Sequence, residues 1–303
     1  MEVGSWELPD PHVMTRRDAL HGLLAVPLAA RFPQQTRPQR PAAAGWTRLF
    51  NGTDLTGWET FLGKPHASVD LPGPRDAKGE HVNRLGVDTD PRAVFSVVPI
   101  DGRQAIRISG EIYGALTTRS SFENYHLRFQ FKWGDKRWPP REDKIRDSGC
   151  CYHAVPPHGA SYGFWMRSCE FQIQEGDCGD FYSLAGAIVD AEAAPQNPGD
   201  PKSELIYKPG ASIAAGHTKR LIRTADHERP RGEWNTLELY CLGQRSVHVV
   251  NGQVVMRLSG IRQPTPAGEL ALTGGQVQLQ SEAAEVFYRD IEIRGVASLS
   301  ELP

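Results

Sequence analysis

The chain has 303 residues, 39 % of them hydrophobic, and a formal net charge of −2. Near-neutral charge removes the electrostatic case for a nucleic-acid or anionic-membrane partner, and the apolar and aromatic content excludes disorder of the whole chain. Thirty glycines and twenty-three prolines point to short strands joined by many turns.

In chain order, Arg16 and Arg17 precede a mild apolar run, Ala19 to Ala30, that is too short to span a bilayer. The pattern is that of a twin-arginine-type export signal, with an amphipathic helix as the competing reading. Residues 1–30 are therefore expected to be an N-terminal extension and signal peptide, with Met14 as a candidate start. Residues 31–44, rich in Pro, Gln and Arg, read as a flexible linker. A folded domain is expected over residues 45–297. It would be exported to the periplasm or the extracellular space, and free of the membrane once the signal is removed.

From Gly45 onward strand patterns dominate, as in "YHLRFQFKW" (125–133), "CEFQIQE" (169–175) and "NTLELYCLG" (235–243). "SVHVVNGQVVMRL" (246–258) is a hairpin closed by Asn251-Gly252. With about a dozen strands and no alternation with helices, the expected fold is all-β, a two-sheet antiparallel β-sandwich of the jelly-roll kind. Residues 62–92 and 190–232 read as long loops, where a pocket would be built. Trp234 and Phe287 read as core. The five cysteines, Cys150, Cys151, Cys169, Cys178 and Cys241, form no CxxC pair. They are expected to be small buried hydrophobes, with a Cys169–Cys178 bridge left open.

One strand breaks the pattern. In "RSCEFQIQEG" (167–176) Phe171 and Ile173 alternate with Glu170, Gln172 and Gln174. Residues two apart share a face, so a carboxyl and two carboxamides stand in a row beneath an apolar face.

Six blocks in order, "WTRLFNGTDLTGWETF", "GALTTRSSFENYHLRFQFKWG", "RDSGCCYHAVPPHG", "MRSCEFQIQEGDCGDF", "GEWNTLELYCLG" with "VNGQVV", and "GGQVQLQSEAAEVFYRDIEIR", resemble the 3-keto-disaccharide hydrolase domain family. The resemblance implies a concanavalin-A-like jelly roll with a carbohydrate site on its concave face. Laminarinase-type relatives of that fold carry Glu-x-Asp-x-Glu on a concave strand. The same spacing here holds Glu170, Gln172 and Gln174, which lacks the carboxylate pair of ordinary retaining hydrolysis.

A 3-keto glycoside does not need that pair. The ketone acidifies the C2 hydrogen, a base removes it, the C1–O bond breaks by β-elimination, and water adds back or the unsaturated sugar leaves. The resemblance thus implies a hydrolase or lyase acting on 3-keto glycosides; a non-catalytic carbohydrate-binding module on the same fold is the alternative. Glu170 is the expected base, His153 a proton shuttle and Lys132 the enolate stabiliser. Gln172, Gln174, Trp133, Trp138, Tyr152 and Arg167 are expected sugar contacts. The basic–aromatic run 132–147, with Lys132, Lys136, Arg137, Arg141, Lys144 and Arg146 around Trp133 and Trp138, reads as a rim loop whose cations approach an enolate or acid group. A divalent metal ion held by His153, His158 and Glu170 is a candidate cofactor.

Overall fold

The computed structural model describes residues 37–303. The export-signal reading and the first part of the linker lie outside the described residues.

Two antiparallel sheets pack face to face. One sheet runs, in spatial order, through strands Phe95–Ile100, Arg103–Ile108, Ala284–Gly295, Tyr125–Arg137, Asn235–Leu242, Arg245–Val250 and Gln253–Thr265. The other runs through Gly86–Val87, Trp58–Leu62, Gly114–Thr118, Gly274–Ser281, Asp147–Val155, Arg167–Gln174 and Phe181–Leu184. The fold is an all-β sandwich, and among the described residues the only helical element is a 3-10 turn at Leu299–Glu301.

Alternation sets which side chains meet between the sheets. In Tyr125–Arg137, Tyr125, Leu127, Phe129, Phe131 and Trp133 are buried in one cluster with Phe171, Ile173, Leu116 and Leu279 of the facing sheet. Two hydroxyl pairs and one ring stack cross the same core. Tyr152 Oη lies 2.7 Å from Ser246 Oγ, Ser148 Oγ lies 2.8 Å from Tyr288 Oη, and the Phe171 ring stacks on His248 at 4.2 Å. Paired in this way, buried hydroxyls keep their hydrogen bonds while the sheets close. The Asn251-Gly252 turn joins Arg245–Val250 to Gln253–Thr265 with Val250 opposite Gln253, as its sequence predicts.

Several readings need correction. The segment 190–232 is not all loop: Ile188–Pro195, Leu205–Tyr207, Ile213–His217 and Leu221–Ile222 are strands that extend the second sheet beyond Phe181–Leu184. Their shortness and proline-rich flanks hide them. Trp234 is half-buried on the outer face, with the Arg289 guanidinium 3.8 Å above its ring and its indole N–H donating to Asp101, and Phe287 is half-buried too. All five cysteines are buried and free. Cys169 faces the core from the start of its strand while Cys178 lies in the turn beyond that strand's end, so no bridge joins them.

Candidate active site

The outward face of the second sheet is a hollow. Register puts Tyr182 beside Glu170, Glu170 beside Cys151, Gln172 beside Gly149, and Gln174 beside Asp147. On the next strand Gln278 and Gln280 lie beside Thr117 and Ala115, and Glu282 makes a bridge with Asp147. The cavity has a volume of about 400 Å3, within the usual range for small-ligand pockets. Its lining combines the mutually contacting rings of Tyr113, Tyr162, Phe164 and Trp165 with Tyr182, Leu184 and the polar side chains of Arg141, Asp147, Glu170, Gln172, Gln174 and Glu282.

The polar row of the 167–174 strand therefore faces a hollow rather than open solvent: Glu170 is 4 % exposed and Gln172 5 %. Gln172 turns its carbonyl onto the Ile173 N–H at 2.9 Å, and Gln174 donates to Asp147 Oδ2 at 2.5 Å. Gly149 makes room for the carboxyl. A Cβ there would collide with Glu170 Oε1 and the Gln280 carboxamide, so both groups occupy space that a larger residue would take from them.

Three carboxyls share this hollow, and burial raises all three. Glu170 is pushed well above the ordinary range by desolvation and then by the Asp147 charge. Glu282 is raised by burial and by Asp147 and Glu170. Asp147 is raised by burial to about 6, with Arg141 pulling it back down. Arg141 Nη2 lies 2.7 Å from Asp147 Oδ2, and its Nη1 lies 3.8 Å from Glu282 Oε1. Asp147 Oδ1, Gln280 Oε1 and Arg141 Nε are buried without a protein partner. These atoms are free to hydrogen-bond whatever enters the hollow.

Other expected site residues lie elsewhere. His153 is fully buried, between the rings of Tyr152 and Tyr125 at 5.3 and 6.0 Å. Pairing on both sides of the Asp147–Val155 strand slips by one residue near its end, and His153 has φ of 53°. That bulge inverts the alternation, so His153 joins Tyr152 in the core instead of facing Glu170. Burial lowers its pKa to about 3. Lys132 alternates with Phe131 and Trp133, so it projects from the far face of the opposite sheet, where it pairs with Asp101 at 3.0 Å. Trp133 is core, with its indole N–H donating to Glu228, and Trp138 donates to the Ser109 carbonyl.

Tyr152 Oη serves the core pin to Ser246. Arg167 donates to the Ala185 carbonyl. His158 lies 3.0 Å from Glu59 and stacks on Phe61 at 4.8 Å. The metal set of His153, His158 and Glu170 is thus not brought together, and among the described residues no three His, Cys, Asp or Glu side chains are grouped to hold a metal ion.

Arg141 is one of the rim-loop cations that the sequence offers, whereas Asp147, Glu282, Gln280 and the aromatic wall carry no local signal that names them as contacts. Asp147 and Glu282 stand in the blocks "RDSGCCYH" and "QSEAAEV", at strand ends where alternation alone does not say which way a side chain points.

Residues 45–294 match the family model of the 3-keto-alpha-glucoside-1,2-lyase-like domain. No curated protein matches the chain. Similar solved structures include two candidate glycosyl hydrolases of Parabacteroides distasonis ATCC 8503, both 16 % identical. One alignment covers 83 % of this chain and 100 % of that one at a TM-score of 0.43. The other covers 84 % and 94 % at 0.45. The carbohydrate binding module CBM66 of Bacillus subtilis is 9 % identical over 66 % of this chain and 92 % of its own, at 0.38.

Proposed function

Because the chain belongs to the 3-keto-alpha-glucoside-1,2-lyase-like domain family, we propose that its hollow cleaves 3-keto glycosides by removing the C2 proton and expelling the C1 oxygen. The observation that carries this reading is the convergence of Asp147, Glu170 and Glu282 with Arg141 in one sugar-sized cavity. Elimination needs a base, a proton donor and a stabiliser for enolate charge. All three kinds of group are present there.

The pKa directions divide the roles. Asp147, at about 6, is ionised at neutral pH and acts as the base. Glu170, held well above the carboxylate range, stays protonated and gives its proton to the leaving oxygen. This exchanges the role expected for Glu170 from its sequence. Arg141, rather than Lys132, is the cation at the hollow and faces the charge that develops on the C3 oxygen. In the elimination the C2–H electrons form the C1=C2 bond, the C1–O bond breaks, and the departing oxygen takes the Glu170 proton. Addition of water across C1=C2 then returns the 3-keto sugar.

The test is release of sugar from a 3-keto disaccharide such as 3-keto-trehalose, with and without a chelator. The wild type is expected to turn it over, and Glu170→Gln to lose roughly 100-fold or more in rate. Equal release by both proteins would reject the assignment. A carbohydrate-binding module is the second reading, favoured by the aromatic wall of Tyr113, Phe164 and Trp165; it would bind the sugar without turnover.

A further inference from the structure

Tyr162 sits in the wrong kind of place for a tyrosine. The Phe164 N–H donates to the Ser161 carbonyl at 2.9 Å, closing a tight turn whose two central residues, Tyr162 and Gly163, have φ of 50° and 85°. Two successive positive φ values make a turn that favours Asn, Asp or Gly. A bulky side chain at its first central position is strained. Packing does not compensate, because Tyr162 is 69 % exposed. Its ring nevertheless lines the hollow, edge-on to Trp165 at 6.1 Å.

The turn holding it is firmly placed. The Trp165 indole N–H donates to the Gly114 carbonyl at 3.1 Å, Ser161 and Trp165 pair backbone to backbone, and the Phe164 ring fills the space above Gly63. A rigid hairpin thus presents one exposed aromatic ring at the mouth of the cavity. Local rules broken without structural return mark functional positions.

We infer that Tyr162 is a specificity-determining residue that grips the leaving group of the glycoside through a flat, ring-shaped, C–H-rich face. The inference rests on the proposed function for its choice of ligand. On the proposed roles, C2 lies at Asp147 and the C1 oxygen at Glu170, which sets the keto ring over the carboxyl cluster. The group leaving from C1 extends toward the aromatic part, where Tyr162 and Trp165 form an L-shaped wall. Leaving groups that are rings, an aryl group or a second pyranose, fill that wall, and a methyl group does not.

The experiment compares phenyl and methyl 3-keto-α-glucoside on wild type, Tyr162→Ala, Tyr162→Phe and Tyr162→Gly. Binding is followed by calorimetry and turnover by sugar release, with melting temperatures alongside. Wild type is expected to bind the phenyl glycoside more tightly, and Tyr162→Ala to lose about fivefold of that preference, the scale of one aromatic contact. Tyr162→Phe should keep the preference. Tyr162→Gly should lose it while melting higher, because glycine relieves the turn, an outcome that a purely structural tyrosine would not produce. An unchanged preference in Tyr162→Ala, or none in wild type, overturns the inference. Preferential binding without any turnover in wild type would reject the proposed chemistry and leave the role of Tyr162 standing.

Discussion

Gly149 lies beneath the Glu170 carboxyl, on the neighbouring strand, and leaves open the space in which that carboxyl meets the Gln280 carboxamide. Its backbone is not in the left-handed region, so alanine is acceptable to the chain itself and the damage from Gly149→Ala falls on the two side chains above. Overpacking of this kind destabilises by about 1–3 kcal/mol. Activity should fall much further than stability does, because the proton donor is displaced from the substrate. Circular dichroism melts and sugar-release rates on one preparation measure the two effects. A variant that melts lower but turns over normally would show that the Glu170 position is unimportant.

The pH dependence of turnover should be bell-shaped. The rising limb reports ionisation of the base, with an apparent pKa near the value of about 6 for Asp147. The falling limb reports loss of the proton from Glu170, well above the usual carboxylate range. Since the three carboxyls interact, both limbs belong to the cluster rather than to single residues. Arg141 lowers the pKa of Asp147 across 2.7 Å, so Arg141→Gln should move the rising limb to higher pH as well as slow the reaction. A profile of kcat/KM against pH for the two proteins reads the shift directly. No movement of the limb would remove Asp147 from the role of base.

Lys132→Met is expected to leave sugar release unchanged. Its ammonium pairs with Asp101 on the far side of the sandwich, and loss of a partly exposed pair there should alter stability by no more than about 1 kcal/mol. Loss of turnover in this variant would place the reaction on the wrong sheet.

The sequence shows the sandwich clearly and the site only in part. Alternation in Leu127 to Trp133 and in Arg167–Gln174 is regular, so it assigns both their core faces and the polar row of Glu170, Gln172 and Gln174 on the face turned away from the core. The same alternation, counted past Tyr152, aims His153 into the hollow. A single bulge residue reverses it. Lys132 fails for the opposite reason: alternation holds without a break from Leu127 to Trp133, and it sends the lysine outward. Arg141 comes from the loop beyond that strand, and its pairing with Asp147, six residues on, depends on how that loop folds back, which strand alternation does not encode. Gly149 illustrates the limit most simply. A glycine in a strand signals a close approach, but which carboxyl approaches is decided by strand register.

His153→Phe should raise stability, most of all in mild acid, and leave turnover intact. Both ring nitrogens of His153 are buried without a partner, and leaving such a group unsatisfied costs about 1–3 kcal/mol. Burial also holds its pKa at about 3 in the folded protein, against about 6.5 in the unfolded chain. Above the unfolded value the imidazole is neutral in both states and stability does not depend on it. As pH falls below that value only the unfolded chain takes up a proton, and wild type loses up to about 1.4 kcal/mol per pH unit until the folded pKa is reached. His248, also lowered by burial to about 4, adds a parallel loss. The raised carboxyls act in the opposite sense, favouring the fold at low pH and losing that contribution as pH rises through about 6 for Asp147. Both of those contributions are common to wild type and variant and cancel in their difference. Denaturant melts at intervals between pH 7 and pH 4 should therefore show the two proteins diverging as pH falls. Parallel curves would mean that His153 has a hydrogen-bonding partner in solution, and a variant that folds but no longer releases sugar would return this histidine to the reaction.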